Sequence, residues 1–241
     1  MNARATGCWW ALVLAAAFGL TMGSGRAERT QGNALARVDH LVYATPNVNA
    51  SVDALAKQLG VRATSGGQHP GRGTRNALLA LGRTTYLEII GPDPEQPKPA
   101  APRVFGIDSL RQAKLVTWAA KASDLPRIAR DAAKHGIHLG EIRPGSRRRP
   151  DGVLLTWQFT DPLTVIGDGI VPFFIDWGET PHPAQTAASG ATLVHLRAEH
   201  PEPERVQKTL TDLGLELRVT RGPSPLLVAT IDCPRGRVEL R

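Results

Sequence analysis

The spacing of apolar positions predicts three amphipathic helices in the chain. Apolar residues recur at i, i+3, i+4 and i+7 over about 49–60, 123–136 and 203–214, so each segment has one apolar face. Each segment ends in a glycine followed by an aliphatic residue, which suits the left-handed position that terminates many helices. Asn49 and Ser123 are candidate N-caps.

Each predicted helix is preceded by one strand-like segment and followed by three. The preceding strands are predicted at 38–43, 115–119 and 193–196, and turn residues separate the segments that follow each helix. The order strand–helix–strand–strand–strand therefore occurs three times, which predicts an α+β protein of repeated βαβββ modules. The modules are predicted at about 36–92, 115–178 and, as a looser third copy, 190–241.

The densest basic run, 147–149, lies between Pro144 and Pro150 and is predicted to be the tip of a hairpin. In this interpretation the strand before the tip covers 137–142 and the strand after it covers 153–159. A nucleic-acid interface needs a broader basic face with interleaved aromatic residues, and aromatic residues make up only 5% of this chain. The run is therefore interpreted as a solvated loop, and no nucleic-acid partner is expected.

The N-terminus has the layout of a secretory signal peptide. Arg4 gives a positive start, residues 8–22 are almost wholly apolar, and 25–27 is a small-x-small cleavage site. Removal of residues 1–27 takes away Arg4 and Arg26 and no acidic residue, so the formal net charge falls from +7 to +5. The prediction is a periplasmic or secreted protein without a membrane span, and the alternative is an uncleaved membrane anchor.

Cysteine content and motif content exclude several classes of protein. Of the two cysteines, Cys8 lies in the leader and only Cys233 remains in the mature chain, so no internal disulfide can form. Cys233 is interpreted as a buried strand residue. The sequence contains no Ser/His/Asp motif, nucleotide-binding fingerprint or CxxC pair.

Several segments carry a resemblance to a known family. They are VDHLVYA at 38–44, HPGRGTRNALL at 69–79, YLEII at 86–90, and VPFFIDW at 171–177 followed by His182. Over about 36–183 the chain resembles the glyoxalase-like branch of the vicinal oxygen chelate superfamily, which includes glyoxalase and extradiol dioxygenase folds. The resemblance implies open, curled antiparallel and mixed sheets. It also implies a divalent metal, Fe, Mn, Ni or Zn, that a substrate chelates through two oxygens.

The resemblance further implies metal ligands on the first and fourth strands of each module. The first module has His40 and Glu88 at these places. The second has Trp118 and Asp176, and a tryptophan cannot ligate a metal. Trp118 is instead predicted to stack on a bound ring.

The third module has His195 and Glu239 at the matching places. A ligand set of His40, Glu88, His195 and Glu239 follows if the first and third modules face each other. Each of these residues also has a structural interpretation. His40 suits a hydrogen-bonded strand histidine, Glu88 suits a solvent-facing strand position, and Glu239 lies close to the C-terminus, where fraying is expected.

A glycine-rich loop at 66–74 is predicted to lie at the mouth of the site. The residues expected to reach a substrate from this region are His69 as a catalytic group and Arg72, Thr74, Arg75 and Asn76 as binding groups. An arginine in this loop suits a carboxylate or another anion. His182 is predicted to be a general base or an additional ligand in the same cavity. The alternative is a surface loop without a ligand.

Three functions remain open from the sequence, of which the third is a degenerate domain kept for interaction. The first is an exported, metal-dependent lyase, isomerase or dioxygenase that acts on a small oxygen-rich molecule. The second is a non-catalytic protein that sequesters a small molecule in the same cleft. The sequence also leaves open a homodimer, because modules can pair within one chain or between two.

Overall fold

A computed structural model describes Met1 and residues 35–241, so the predicted signal peptide lies outside the described residues except for Met1. The strands are β1 Val38–Ala44, β2 Thr64–His69, β3 Thr74–Gly82, β4 Thr85–Pro92, β5 Lys114–Lys121, β6 Ile142–Arg148, β7 Leu154–Thr160, β8 Phe173–Asp176, β9 Thr192–His200, β10 Arg218–Arg221, β11 Leu226–Cys233 and β12 Gly236–Leu240. The helices are α1 Val48–Leu59, α2 Leu125–Lys134 and α3 Pro203–Asp212. Short 3₁₀ helices lie at Val104–Ser109, Gly167–Gly169 and Pro183–Gln185. No helix of this described part is long and apolar enough to cross a membrane.

The first eight strands close into a barrel with the order β1-β4-β3-β2-β6-β7-β8-β5. Strand β1 is parallel to β4, and β5 is parallel to β8, so the two halves have the same internal arrangement. The halves join where β1 runs antiparallel to β5 and where Gln68 of β2 pairs with Arg148 of β6. The expectation of open sheets is therefore wrong, because both seams are paired within one chain.

The C-terminal segment forms a separate four-stranded sheet with the order β10-β9-β11-β12. Its elements follow the same order along the chain as those of the barrel halves. Its strand arrangement differs, because β9 lies between β10 and β11 and is antiparallel to β11. One apolar core runs from the barrel into this sheet and includes Leu79, Leu196 and Ile231. The segment therefore packs against the barrel and does not close a second one.

The helix termini follow from local chemistry. The side chain of Asn47 accepts a hydrogen bond from the Ala50 backbone N–H at 3.1 Å, and α1 ends at Gly60 with φ 76°. The carboxylate of Asp124 caps α2 by accepting from the Arg127 N–H at 2.9 Å. The predicted caps, Asn49 and Ser123, are thus displaced by two residues and one residue. The predicted glycine at the end of α1 is confirmed.

The predicted hairpin tip at 147–149 is wrong, and so is the strand predicted at 137–142. Strand β6 covers Ile142–Arg148, and its turn lies beyond Arg149. The Pro144-Gly145 pair indicated a turn, but Gly145 is a strand residue covered by an aromatic ring. A Cβ at Gly145 would lie 2.3 Å from Nε1 of Trp157. Arg147 is consequently a strand residue with only 3% of its surface exposed.

Candidate active site in the barrel cavity

The barrel contains a cavity of about 70 Å³ whose two sides differ in chemistry. The first half of the barrel supplies mainly polar side chains to its wall: His40, His69, Arg72, Thr74, Asn76 and Glu88. The second half supplies mainly aromatic and apolar ones: Trp157, Phe159, Phe173, Ile175 and Trp177, together with Ser146 and Arg147.

His40 projects from β1 and is held by its neighbour Asp39. The Asp39 carboxylate lies 2.8 Å from His40 Nδ1, and both side chains are almost fully buried. A carboxylate accepts hydrogen bonds, so Nδ1 carries the proton of the neutral ring. The lone pair of His40 is therefore on Nε2, the nitrogen that approaches Glu88. The ring stacks on Tyr86 with centroids 4.7 Å apart, which fixes its plane.

Asp39 collects two further donors from the end of the second half. His182 Nε2 lies 3.2 Å from Asp39 Oδ2, and the Trp177 indole N–H donates to the same carboxylate at 3.2 Å. His182 Nδ1 accepts from the Ala184 backbone N–H, so its proton is on Nε2 and points to Asp39. Burial would raise the pKa of Asp39, but the hydrogen bonds from His182 and His40 outweigh burial and hold this pKa well below its usual range. His182 thus supports Asp39 and does not line the cavity.

Glu88 projects from β4 between the two cavity histidines. Its Oε2 lies 3.8 Å from His40 Nε2, and its Oε1 lies 3.8 Å from His69 Nε2. The Asn76 side-chain N–H donates to Glu88 Oε1 at 2.6 Å. Because Glu88 is 7% exposed, the structure places it in the interior and not in solvent. The Asn76 bond supplies the donor partner that a buried carboxylate requires.

His69 lies at the end of β2, at the edge of the same cluster. Its Nδ1 is 3.0 Å from Thr74 Oγ1, and its Nε2 is 3.4 Å from Asn76 Nδ2. Burial is the main cause that lowers the pKa of His69 to about 4, and Arg147 and Arg72 act in the same direction against Glu88. His69 is therefore neutral near pH 7. The predicted glycine-rich loop around it is in fact the β2–β3 hairpin.

Arg147 is a cavity residue that the sequence interpretation missed. Its guanidinium donates to the Gly66 carbonyl oxygen, and burial lowers the pKa of Arg147. Arg72 also lines the cavity, with its guanidinium carbon 5.9 Å from the centre of the Phe159 ring. If the segment had been predicted as a strand with Arg147 facing inward, Arg147 would have been identified as a cavity residue. The neighbouring prolines suggested a turn instead.

Two residues predicted to bind substrate lie elsewhere. In the β1–β5 pair His40 is opposite Ala119, whereas Trp118 is opposite Leu41. Opposite residues share a face, so Trp118 lies in the core, where its indole N–H donates to the Ile170 carbonyl at 2.8 Å. Arg75 lies between Thr74 and Asn76 on β3, and it does not line the cavity. Its Nε is buried without a hydrogen-bond partner among the described residues.

The predicted four-ligand metal set does not come together. His195 and Glu239 lie in the C-terminal sheet, where both are neighbours of Thr230. Glu239 is solvent-exposed and paired with Arg241 at 3.0 Å, and neither residue lines the barrel cavity. The first half pairs with the second half in the barrel and not with the C-terminal sheet, so the structure does not bring these four side chains together.

A divalent metal has a suitable set of donor types in the cavity but not a suitable arrangement. Two imidazoles and a carboxylate are ligands that Fe, Mn, Ni and Zn accept. Yet Glu88 Oε1 is hydrogen-bonded to Asn76, and the facing strand β8 contributes the apolar side chains of Phe173 and Ile175 to the cavity wall. Within residues 35–241 no group of three or more His, Cys, Asp or Glu is placed to hold a metal ion. The residues as they stand do not fit a bound metal.

A curled, eight-stranded mixed sheet that closes into a barrel is the fold of the vicinal oxygen chelate superfamily, to which this chain belongs. The chain belongs to the glyoxalase-like domain family, whose model matches residues 38–214. Members of this superfamily commonly use divalent metals. No curated protein matches the chain.

Three solved structures resemble this chain at low sequence identity, and among these three the first, with a TM-score above 0.5, shares its fold. A hypothetical protein from Staphylococcus aureus is 11% identical with a TM-score of 0.60, over 78% of this chain and 87% of that one. A methylmalonyl-CoA epimerase from Mycobacterium tuberculosis is 19% identical with a TM-score of 0.40, over 59% and 88%. A Streptomyces coelicolor methylmalonyl-CoA epimerase in complex with 2-nitronate-propionyl-CoA is 17% identical with a TM-score of 0.38, over 60% and 96%.

Proposed function

We propose that the protein is an isomerase or lyase that moves a proton on a small oxygen-rich molecule in the barrel cavity, with His40 as the acid–base group. The observation that carries this proposal is the Asp39–His40 pair, with 2.8 Å between carboxylate and Nδ1. A carboxylate behind an imidazole fixes the tautomer and stabilises the imidazolium that forms on proton uptake.

The surroundings of His40 suit proton transfer next to a carbonyl group. Its Nε2 is unprotonated in the neutral ring and lies on the cavity wall. Removal of a proton beside a carbonyl leaves negative charge on oxygen, and a buried guanidinium stabilises such charge strongly. Arg147 lines the same cavity and is 3% exposed. Base and cation are thus both supplied by side chains of this chain.

Proton exchange with solvent tests this function without knowledge of the natural substrate. Phenylpyruvate and other small 2-oxo acids would be incubated in D₂O, and loss of the C–H signal beside the carbonyl would be followed by ¹H NMR. We expect faster exchange with the protein than in buffer and a loss of about 100-fold in His40→Gln. His138→Gln, an exposed histidine outside the cavity, is the matched control. Equal exchange with wild type and His40→Gln would refute the assignment of His40.

Non-catalytic binding is the second candidate, and the aromatic half of the cavity favours it. Trp157, Phe159, Phe173 and Trp177 form a wall suited to a flat apolar ligand. This function would be supported in place of catalysis if a ligand bound tightly and was recovered unaltered. Phenylpyruvate and the other 2-oxo acids would then show no proton exchange.

The metal dependence predicted from the resemblance stays a prediction. Metal analysis of the purified protein beside His40→Ala and Glu88→Ala tests it, because a cavity-bound ion would be lost in both variants.

We also propose that the protein acts outside the cytoplasm. The supporting observation is the signal-peptide layout of residues 1–27. N-terminal sequencing of protein recovered from the host cell tests it, with a mature chain that starts after Ala27 as the expected result. The homodimer left open by the sequence stays a prediction that sedimentation measurements can check.

A further inference from the structure

The cavity carries an excess of positive charge. Its charged lining residues are Arg72, Arg147 and Glu88, and His69 is neutral near pH 7. No carboxylate among residues 35–241 lies within 4 Å of the Arg147 guanidinium, although that side chain is 3% exposed. Buried charges in proteins are usually paired, because removing a charge from water without a partner is strongly unfavourable. Arg147 therefore has no paired counterion among residues 35–241, and Glu88 attracts its charge only from beyond ion-pair distance.

Glu88 does not serve as that counterion. One of its oxygens accepts from Asn76 at 2.6 Å, and each oxygen also lies 3.8 Å from a histidine nitrogen. The guanidinium of Arg147 has five N–H donors, of which the Gly66 carbonyl takes one. The remaining donors make no hydrogen bond within residues 35–241 and are open to a ligand or water in the cavity. Among residues 35–241 Arg72 likewise has no acidic partner within 4 Å, and its one hydrogen bond there is a 3.5 Å contact with the Pro144 carbonyl.

The opposite side of the cavity suits a flat apolar body. The rings of Trp157 and Trp177 lie 5.0 Å apart, and Phe159 lies 6.3 Å from both Trp157 and Phe173. Such a cluster packs well against a planar ring. Because Arg72 sits over the Phe159 ring, the cationic and aromatic sides meet within the same cavity.

We propose that the cavity takes a planar aromatic carboxylate, with the carboxylate on Arg147 and Arg72 and the ring against the tryptophan and phenylalanine side chains. This inference rests on the proposed function and names its substrate class. A carboxylate matches the paired donors of a guanidinium, and its single negative charge balances the single excess positive charge of the lining. Within this class, the proposed proton transfer favours molecules that also carry a carbonyl group within reach of His40.

Calorimetric titration with two probes of the same shape tests this class directly. The purified protein would be titrated with 2-naphthoate and with 2-naphthamide, which share a planar body and differ in charge. We expect the carboxylate to bind at least about tenfold more tightly than the amide. Equal affinities, or tighter binding of the amide, would overturn the proposal without use of any variant.

Variants then locate the charge recognition. Arg147→Gln should bring the two affinities close together, whereas Arg147→Lys should keep part of the difference. Arg148→Gln is the matched control, because Arg148 is the next residue of β6 and is exposed. Arg72→Gln, at an exposed position, should reduce carboxylate affinity even if Arg147→Gln fails to fold. A preference for the carboxylate that survives unchanged in Arg72→Gln and in folded Arg147→Gln would overturn the assignment.

The two proposals fail in different ways. His40→Gln should keep the preference for 2-naphthoate, because it leaves both arginines in place. Carboxylate preference without proton exchange would leave the substrate class standing and remove the catalytic role of His40. Proton exchange without carboxylate preference would keep the catalytic role of His40 and remove the proposed substrate class.

Discussion

The side chains of Asp39 and His40 meet at 2.8 Å although the two residues are consecutive on strand β1. Consecutive residues of a regular strand point to opposite faces. The pairing of β1 with β5 shifts register between Val38 and His40, which marks a local irregularity of the bulge type. This distortion allows the Asp39 carboxylate to contact Nδ1 of the imidazole on the side away from the cavity, while Nε2 of His40 faces the cavity.

Asp39→Asn should lower the rate of proton exchange strongly, whereas its effect on the thermal midpoint should be smaller. The amide keeps the shape but loses the charge that holds the His40 tautomer, so we expect exchange to fall by about 10- to 100-fold. The exchange rate and the thermal midpoint would be measured together. Asp176→Asn is the control, because its carboxylate accepts from the Gly178 N–H outside the cavity. Unchanged exchange in Asp39→Asn would contradict the orienting role.

The buried His69 should make stability depend on pH. The folded pKa of about 4 lies below the ordinary 6.5, so the unfolded chain takes up the proton first as the pH falls. The stabilisation is therefore complete above about pH 6.5 and is lost towards pH 4, by about 3 kcal/mol at most. Urea unfolding at pH 7 and pH 4 should show a smaller loss in His69→Gln than in wild type. The exposed His138→Gln should follow wild type, and parallel losses in all three would contradict this explanation.

Gly66→Ala should disturb the polar side of the cavity by steric conflict alone. A Cβ at this position would lie 2.1 Å from Asn76 Oδ1 and 2.8 Å from Arg147 Nη1, and both of those side chains are buried. We expect a loss of about 1–3 kcal/mol in the free energy of unfolding. Gly82→Ala is the control, since its Cβ would meet only Thr85 at 3.7 Å. Equal stability of the two variants would show that Asn76 and Arg147 move aside without cost.

Trp118→Phe separates a core role from a ligand-binding role. The substitution removes the hydrogen bond from the indole N–H to the Ile170 carbonyl and leaves that buried oxygen without this donor. We expect a loss of about 1–3 kcal/mol in the free energy of unfolding and no change in affinity for 2-naphthoate. Chemical denaturation and calorimetry measure the two quantities. A drop in affinity with unchanged stability would restore the stacking role predicted from the sequence.

Periodicity predicted much of the fold because helix and strand patterns are local. The amphipathic spacing and the glycine at 60 located α1 to within two residues at its start. The arrangement of the last sheet could not be predicted in this way, since β9 pairs with β10 and β11 through long-range contacts. The same order of elements is compatible with two strand arrangements, so His195 was aligned with His40 although their surroundings differ.

The candidate site was predictable where its residues lie on one regular pattern. His40, Glu88 and Asn76 are strand residues of the first half, and the structure brings them together. Trp118 was misplaced because a register shift of one residue in the β1–β5 pair exchanges the two faces. Arg147 was missed because Gly145 next to a proline is typical of a turn, whereas here it gives room to the ring of Trp157.

The unequal contribution of the two barrel halves has a consequence for how this protein can change. The groups proposed for chemistry come mostly from β1 to β4, whereas the wall that shapes a ligand comes mostly from β7 and β8. Substitutions at Phe159 or Ile175 would therefore alter which molecules fit without contact with Asp39. Such a chain can be retargeted to new compounds by variation in one half while the reactive half stays intact.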